Sequence, residues 1–262
     1  MPDVTITRKG AIARVSFDRG APANALSLDL MRELTAAARS FEDDTETAAI
    51  ILTGRVDNFS LGFDLNDAQA IDPATTPLAE RRQLFLTGKR MCQAWADLAP
   101  LTISAIEGWC VGGGVALAVA TDLRVASQTS HFYVPEVERG FNVSWGAVPR
   151  IVNLIGPARA KRLIALAQKL DAPEALTWGL IDEIAPQGDT LKAAQALATR
   201  AAALPPVALR QCKGAIDAYA NALSGVAIHA DHDQFALSHQ SKDAAEAVAA
   251  FLEKRPAQFK GE

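Results

Sequence analysis

Residues 106–122 read IEGWCVGGGVALAVATD, and Pro135-Glu136 lies a short way downstream. Just before this stretch, Leu101 to Ile106 (LTISAI) is short, apolar and β-branched, the pattern of a buried strand. Val115 to Ala120 (VALAVA) reads as a buried helix entered through Gly112, Gly113 and Gly114. Glycines at a helix entrance let the main chain approach a neighbour closely, because no Cβ intervenes. The first N–H groups of the helix have no partner within it, and the helix dipole draws negative charge toward them. The stretch predicts an anion site built from backbone.

Working outward, Val4 to Arg8 and Ile12 to Asp18 alternate as a hairpin around Lys9-Gly10. Asn24-Ala25-Leu26-Ser27 forms a turn, with Ser27 capping a helix from about Leu28 to Phe41. Ala48 to Thr53 is a buried strand. The loop from Arg55 to Asp67 holds Phe59-Ser60-Leu61-Gly62-Phe63-Asp64, a glycine turn between bulky apolar residues. A polar loop at Asp72 to Pro77 precedes a helical pattern over Ala79 to Leu98, and Leu123 to Ala126 and Leu180 to Ala185 are further strands. Alternating strands and helices argue for an α/β core over residues 1–190. From Thr190 only helical periodicity remains, broken at Pro205-Pro206, which predicts a helical C-terminal subdomain over 191–262.

The net charge of −4 over 262 residues gives no basic face for nucleic acid. Cys92, Cys110 and Cys212 are odd in number and widely spaced, so reduced core cysteines are expected instead of disulfides or a zinc site. MPDVTITRKG lacks the apolar core of a signal peptide. Leu101 to Ala120 approaches membrane-spanning length but carries Glu107 and four glycines. No membrane association is expected, and a cytoplasmic location is. The glycines do not make a dinucleotide fingerprint, because position 117 is leucine. Ser60 and Ser144 have no acid or histidine at hydrolase spacing. Asp122 and Arg124 read as a structural pair or cap, and His131 as a strand histidine. His229 and His232 share a helix face without a further ligand, so no metal site is expected.

Several segments in order resemble the enoyl-CoA hydratase/isomerase (crotonase) superfamily. They are Asn24 to Ser27, Phe59 to Leu65, Ile103 to Asp122, Pro135-Glu136 with Gly140, Ile155 to Ala160, Ala175 to Asp182, and Phe251 to Arg255. The resemblance implies a spiral of strand-strand-helix units with a C-terminal trimerisation region, assembled as a homotrimer or homohexamer. It implies an acyl-CoA substrate within fatty acid metabolism, with no cofactor beyond the coenzyme A that the substrate carries. Its shared chemistry is an oxyanion hole of two backbone N–H groups, matching Leu61 and Gly113 here, with Glu136 as acid/base. Substrate contacts carried over are Ala23, Ala25, Phe63, Asp64, Gly112, Gly140 and Trp145. Phe251 and Lys254 match positions that reach the CoA adenine and its phosphate.

The family's hydratases use two glutamates. The second matches Glu136, whereas the first matches Ala116, which cannot handle a proton. Hydration moves protons at two carbons and must position a water, so two acid/base groups suit it. Shifting a double bond needs one carboxylate to take a proton from C2 and return it at C4. The residues therefore favour enoyl-CoA isomerisation. The alternatives are 2-enoyl-CoA hydration helped by Glu138, Glu107, Asp64 or Asp67, a reaction on a ring or branched thioester, and a non-catalytic acyl-CoA binding protein.

Overall fold

A computed structural model of the chain describes residues 2–21, 23–64, 67 and 75–262. Leu65 and residues 72–74 of the polar loop lie outside the described residues.

The chain opens on the expected hairpin, β1 (Val4–Lys9) and β2 (Ile12–Phe17), turning at Gly10 with φ +57°. Ser27 caps α1 (Leu28–Arg39) by accepting the N–H of Leu30 at 3.1 Å. Three repeats of strand, strand and helix follow. They are β3 (Ala49–Thr53), β4 (Asn58–Ser60) and α2 (Leu78–Ala96); β5 (Leu101–Ile106), β6 (Trp109–Val111) and α3 (Gly113–Ala118); β7 (Leu123–Ser127), β8 (His131–Tyr133) and α4 (Ala147–Ile164). The first strand of each repeat joins a sheet ordered β1-β2-β3-β5-β7-β10, which closes with β10 (Glu183–Ala185). The second strand joins a sheet ordered β4-β6-β8-β9, with β9 at Leu170–Asp171. Strands β4, β6 and β8 run parallel, so their C-terminal ends open side by side.

The larger sheet is covered on both faces, which explains why every residue of β3 is buried. Ile50 and Leu52 face one core with Phe17, Phe59, Trp95 and Leu117. Ala49 and Ile51 face the other, where α6 (Thr190–Ala202) lays Ala194, Ala198 and Ala201 against Ile103, Ala105 and Val125. The boundary expected after residue 190 thus falls at the start of a helix that seals the sheet. The all-helical layer begins with α7 (Pro206–Ala220) and continues through α8 (Ser224–His229), α9 (Asp231–His239) and α10 (Lys242–Glu253).

Two further expectations are corrected. Asp122 and Arg124 do not pair with each other: Asp122 holds Lys213 at 2.7 Å and Arg124 holds Asp182 at 2.9 Å, while Arg124 also caps the chain leaving α3 by donating to the Thr121 carbonyl at 2.8 Å, as the other reading had it. Cys92 and Cys110 are buried, but Cys212 on α7 is exposed. His131 behaves as a strand histidine, stacked on Trp109 with ring centroids 4.7 Å apart. Among the described residues no helix is long and apolar enough to cross a membrane.

Candidate active site

The ends of β4, β6 and β8 lead into three loops that meet at one cavity of about 530 Å³. Crevices at the carboxyl ends of parallel strands are where open α/β sheets bind ligands. Leu61, Gly62 and Phe63 come from the first loop, Gly112 and Gly113 from the second, and Pro135 and Glu136 from the third. Leu28, Met31, Leu84, Phe85, Val143 and Phe235 make the remaining wall largely apolar.

The first loop is fixed by the turn before α1. Asn24 is fully buried, and its amide donates to the carbonyls of Phe17 (3.2 Å) and Phe59 (2.9 Å), tying β2 to β4. Leu61 N–H donates to the Ala23 carbonyl at 2.9 Å, Leu26 N–H to Gly62 at 2.8 Å, and Asp64 N–H to Leu26 at 3.1 Å. Gly62 N–H donates to the Ser60 hydroxyl at 3.1 Å. Among the described residues these bonds leave Phe63 as the amide of the loop with no acceptor. This corrects the expectation for Leu61: its N–H is already used, and Phe63 takes its place. Leu61 itself still lines the cavity through its side chain.

On the second loop, Gly112 N–H donates to the Tyr133 carbonyl at 2.7 Å, while Gly113, the first residue of α3, has no acceptor among the described residues. A Cβ placed on Gly62 would come 3.4 Å from the Gly113 nitrogen, so the two loops abut. Each glycine of the triplet answers to a different neighbour. A Cβ on Gly112 would meet Glu136 Oε1 at 2.7 Å, on Gly113 the Trp145 ring at 2.4 Å, and on Gly114 the Ser60 carbonyl at 2.8 Å. With α3 only six residues long, the individual N–H groups matter more than its dipole.

Glu136 begins the 3₁₀ turn Val137–Arg139. The residue as a whole is half-buried, but Oε2 is sealed from solvent and has no hydrogen-bond partner. Burial pushes the carboxyl from 4.5 up to about 7, opposed by its own backbone N–H and by the charge of Arg139. Glu136 is the one carboxylate among the described lining residues, and Ala116 also lines the cavity. The other acids are occupied elsewhere. Glu107 accepts from Gly188 and Thr190, Asp64 pairs with Arg19, Asp67 accepts the N–H of Leu28, and Glu138 accepts the Tyr133 hydroxyl.

Of the expected substrate contacts, Phe63, Gly112, Trp145 and Phe251 line the cavity. Ala23, Ala25, Asp64, Gly140 and Lys254 do not. Ala23 and Ala25 spend their carbonyls on Leu61 and Arg19. Gly140, at φ +74°, gives α10 its close approach, since a Cβ there would meet Ala244 Cα at 2.6 Å. Lys254 ends α10 in a left-handed conformation. Sequence reasoning missed Trp109, Tyr133, Arg139 and Lys169, which also line the cavity. Arg139 was legible only as a cation three residues after Glu136.

The family model for enoyl-CoA hydratase/isomerase matches residues 7–262. The chain belongs to this family. It is 29% identical over 254 residues to a short-chain-enoyl-CoA hydratase of Clostridium acetobutylicum, covering 97% of this chain and 95% of the relative. It is 32% identical over 260 residues to a "probable enoyl-CoA hydratase" of Mycobacterium bovis, covering 98% and 97%. In structure it is similar to an enoyl-CoA hydratase from Mycobacterium avium subsp. paratuberculosis K-10, with a TM-score of 0.87 at 23% identity over 99% of both chains. The family's members act on acyl-CoA thioesters, and the strand-strand-helix repeats are its fold.

Proposed function

We propose that this chain moves a proton on an acyl-CoA thioester with one carboxylate, and that its reaction is the shift of an enoyl double bond from the 3,4 to the 2,3 position. The observation that carries this reading is that Glu136, with Oε2 sealed from solvent, is the one carboxylate among the described residues lining a cavity that Ala116 also lines. Ionised Glu136 takes a proton from C2, and the charge that develops on the thioester oxygen is held by the N–H groups of Phe63 and Gly113. One such preorganised donor contributes about 3–4 kcal/mol to the barrier. The protonated carboxyl then returns the proton at C4. A pKa near 7 suits both halves, because the group must be a base first and an acid second.

Hydration of a 2-enoyl thioester is the second reading, supported by the names of the relatives. It needs a further group to position water, and the nearby acids are already engaged. Coenzyme A enters only as part of the substrate. The exposed apolar residues Ile216, Tyr219, Leu223 and Val226 on α7, α8 and the turn between them support assembly as a homotrimer or homohexamer.

The test supplies 3-enoyl-CoA and 2-enoyl-CoA separately. Rapid conversion of the 3-enoyl substrate is expected, with kcat/KM rising with pH through about 7 as Glu136 ionises. Glu136→Gln is expected to lower it at least about 10²-fold while acyl-CoA still binds. Faster formation of a 3-hydroxyacyl product from the 2-enoyl substrate would replace isomerisation by hydration.

A further inference from the structure

Arg139 lines the cavity, half-buried, with its guanidinium carbon over the Phe251 ring 3.3 Å from the centroid. Among the described residues its side chain has no hydrogen-bond acceptor and no ion pair. The nearest acid in sequence, Glu138, is turned outward and bonded to the Tyr133 hydroxyl. A guanidinium held over an aromatic ring with no acceptor of its own has N–H groups left to donate, and a carboxylate can take two of them in bidentate fashion. Desolvating such a cation without an anion is costly, so a half-buried, unpaired arginine in a cavity points to a partner carried by the ligand.

Position identifies which part of the ligand. Arg139 N–H donates to the Glu136 carbonyl at 3.0 Å, so the two residues are one 3₁₀ turn apart, about 6 Å along the axis. Glu136 stands at the reacting carbons. The first phosphate of coenzyme A sits beyond a pantetheine arm comparable to an extended peptide of four or so residues, about 15 Å. A carboxylate a few carbons along the acyl chain lies within the shorter reach. Lys169, exposed over the Tyr133 ring at 4.8 Å, is a second lining cation and stands on the solvent side.

We infer that Arg139 is a specificity-determining residue that binds a carboxylate at the far end of the acyl group, so that the preferred substrates are thioesters of short dicarboxylic acids. This inference rests on the acyl-CoA reading above, and it moves Phe251 from the adenine contact expected of it to the plate that holds the guanidinium in position.

Saturated acyl-CoA thioesters matched in length, ending in methyl or in carboxylate, are titrated against wild-type protein, Arg139→Gln and Arg139→Lys. Circular dichroism confirms folding. The wild type is expected to bind the carboxylate-ended ligand about 10- to 100-fold more tightly than the methyl-ended one. Arg139→Gln should erase that preference and leave methyl-ended binding within about threefold, and Arg139→Lys should restore part of it. Binding needs no turnover, so failure of the proposed isomerisation leaves this result readable. Equal wild-type affinity for both ligands overturns the inference. So does an equal loss for both ligands in Arg139→Gln that disappears with pantetheine thioesters, which would give Arg139 to the CoA phosphate.

Discussion

Replacing Glu136 with glutamine separates what the buried carboxyl costs the fold from what it does chemically. Burial holds the carboxyl at about 7 in the folded protein, against an ordinary value of 4.5 that serves for the unfolded chain. Between those values the folded state keeps a proton that the unfolded chain has released. Stability therefore falls as pH rises through that window. Below 4.5 both states are protonated and the penalty is absent, and above 7 it is fully present. The interval corresponds to roughly 3 kcal/mol, at about 1.4 kcal/mol per pH unit. Glutamine has nearly the same shape and no charge at any of these pH values. The stability advantage of Glu136→Gln should grow from near zero at pH 4.5 to about 3 kcal/mol at pH 8. In Tm this is about 6–12 °C for a chain of this size. Urea unfolding followed by tryptophan fluorescence across that pH range measures it at fixed protein concentration, which matters if subunits associate. A difference that stays flat with pH, or a wild type that is the more stable at pH 8, would refute the claim that the carboxyl is buried without a partner.

Two other substitutions probe the frame around the site. Gly112→Ala puts a Cβ 2.7 Å from Glu136 Oε1 at a position with φ +51° and ψ −114°. Displacing the base in this way should lower kcat about 10²-fold with acyl-CoA still bound, as steady-state kinetics and titration would show. Glu107→Ala removes the acceptor for Gly188 N–H (3.0 Å) and the Thr190 hydroxyl (2.8 Å). It should cost about 1–3 kcal/mol of stability by thermal unfolding while kcat is unchanged, since Glu107 does not line the cavity.

The hairpin, α1 with its Ser27 cap and the buried strands were legible because each is written in local pattern, alternation or a capping residue, whereas Glu136 was singled out by the family resemblance. The three-residue strands β4, β6 and β8 were not, since runs that short carry no period. The donor loop failed for a different reason. Whether the amide of Leu61 or of Phe63 is left for a ligand depends on the Ala23 and Leu26 segment pairing with it, a contact between distant stretches of chain. Gly140 misled in the same way. The resemblance carried it over as a ligand contact, and only the fold shows α10 lying against it. Arg139 needed the tertiary structure most, because the absence of a partner is not visible in sequence.

The indole of Trp145 occupies the space where side-chain carbons of both Gly88 on α2 and Gly113 would stand, 2.0 and 2.4 Å from its ring atoms. One flat ring thus sets the spacing between a wall of the cavity and the Gly113 amide, the donor proposed above to steady the thioester. Trimming it to admit bulkier acyl groups would slacken that amide in the same stroke. Breadth of substrate and speed of reaction are mechanically geared together at this point, and variants selected for wider tolerance should be found to widen the chamber elsewhere.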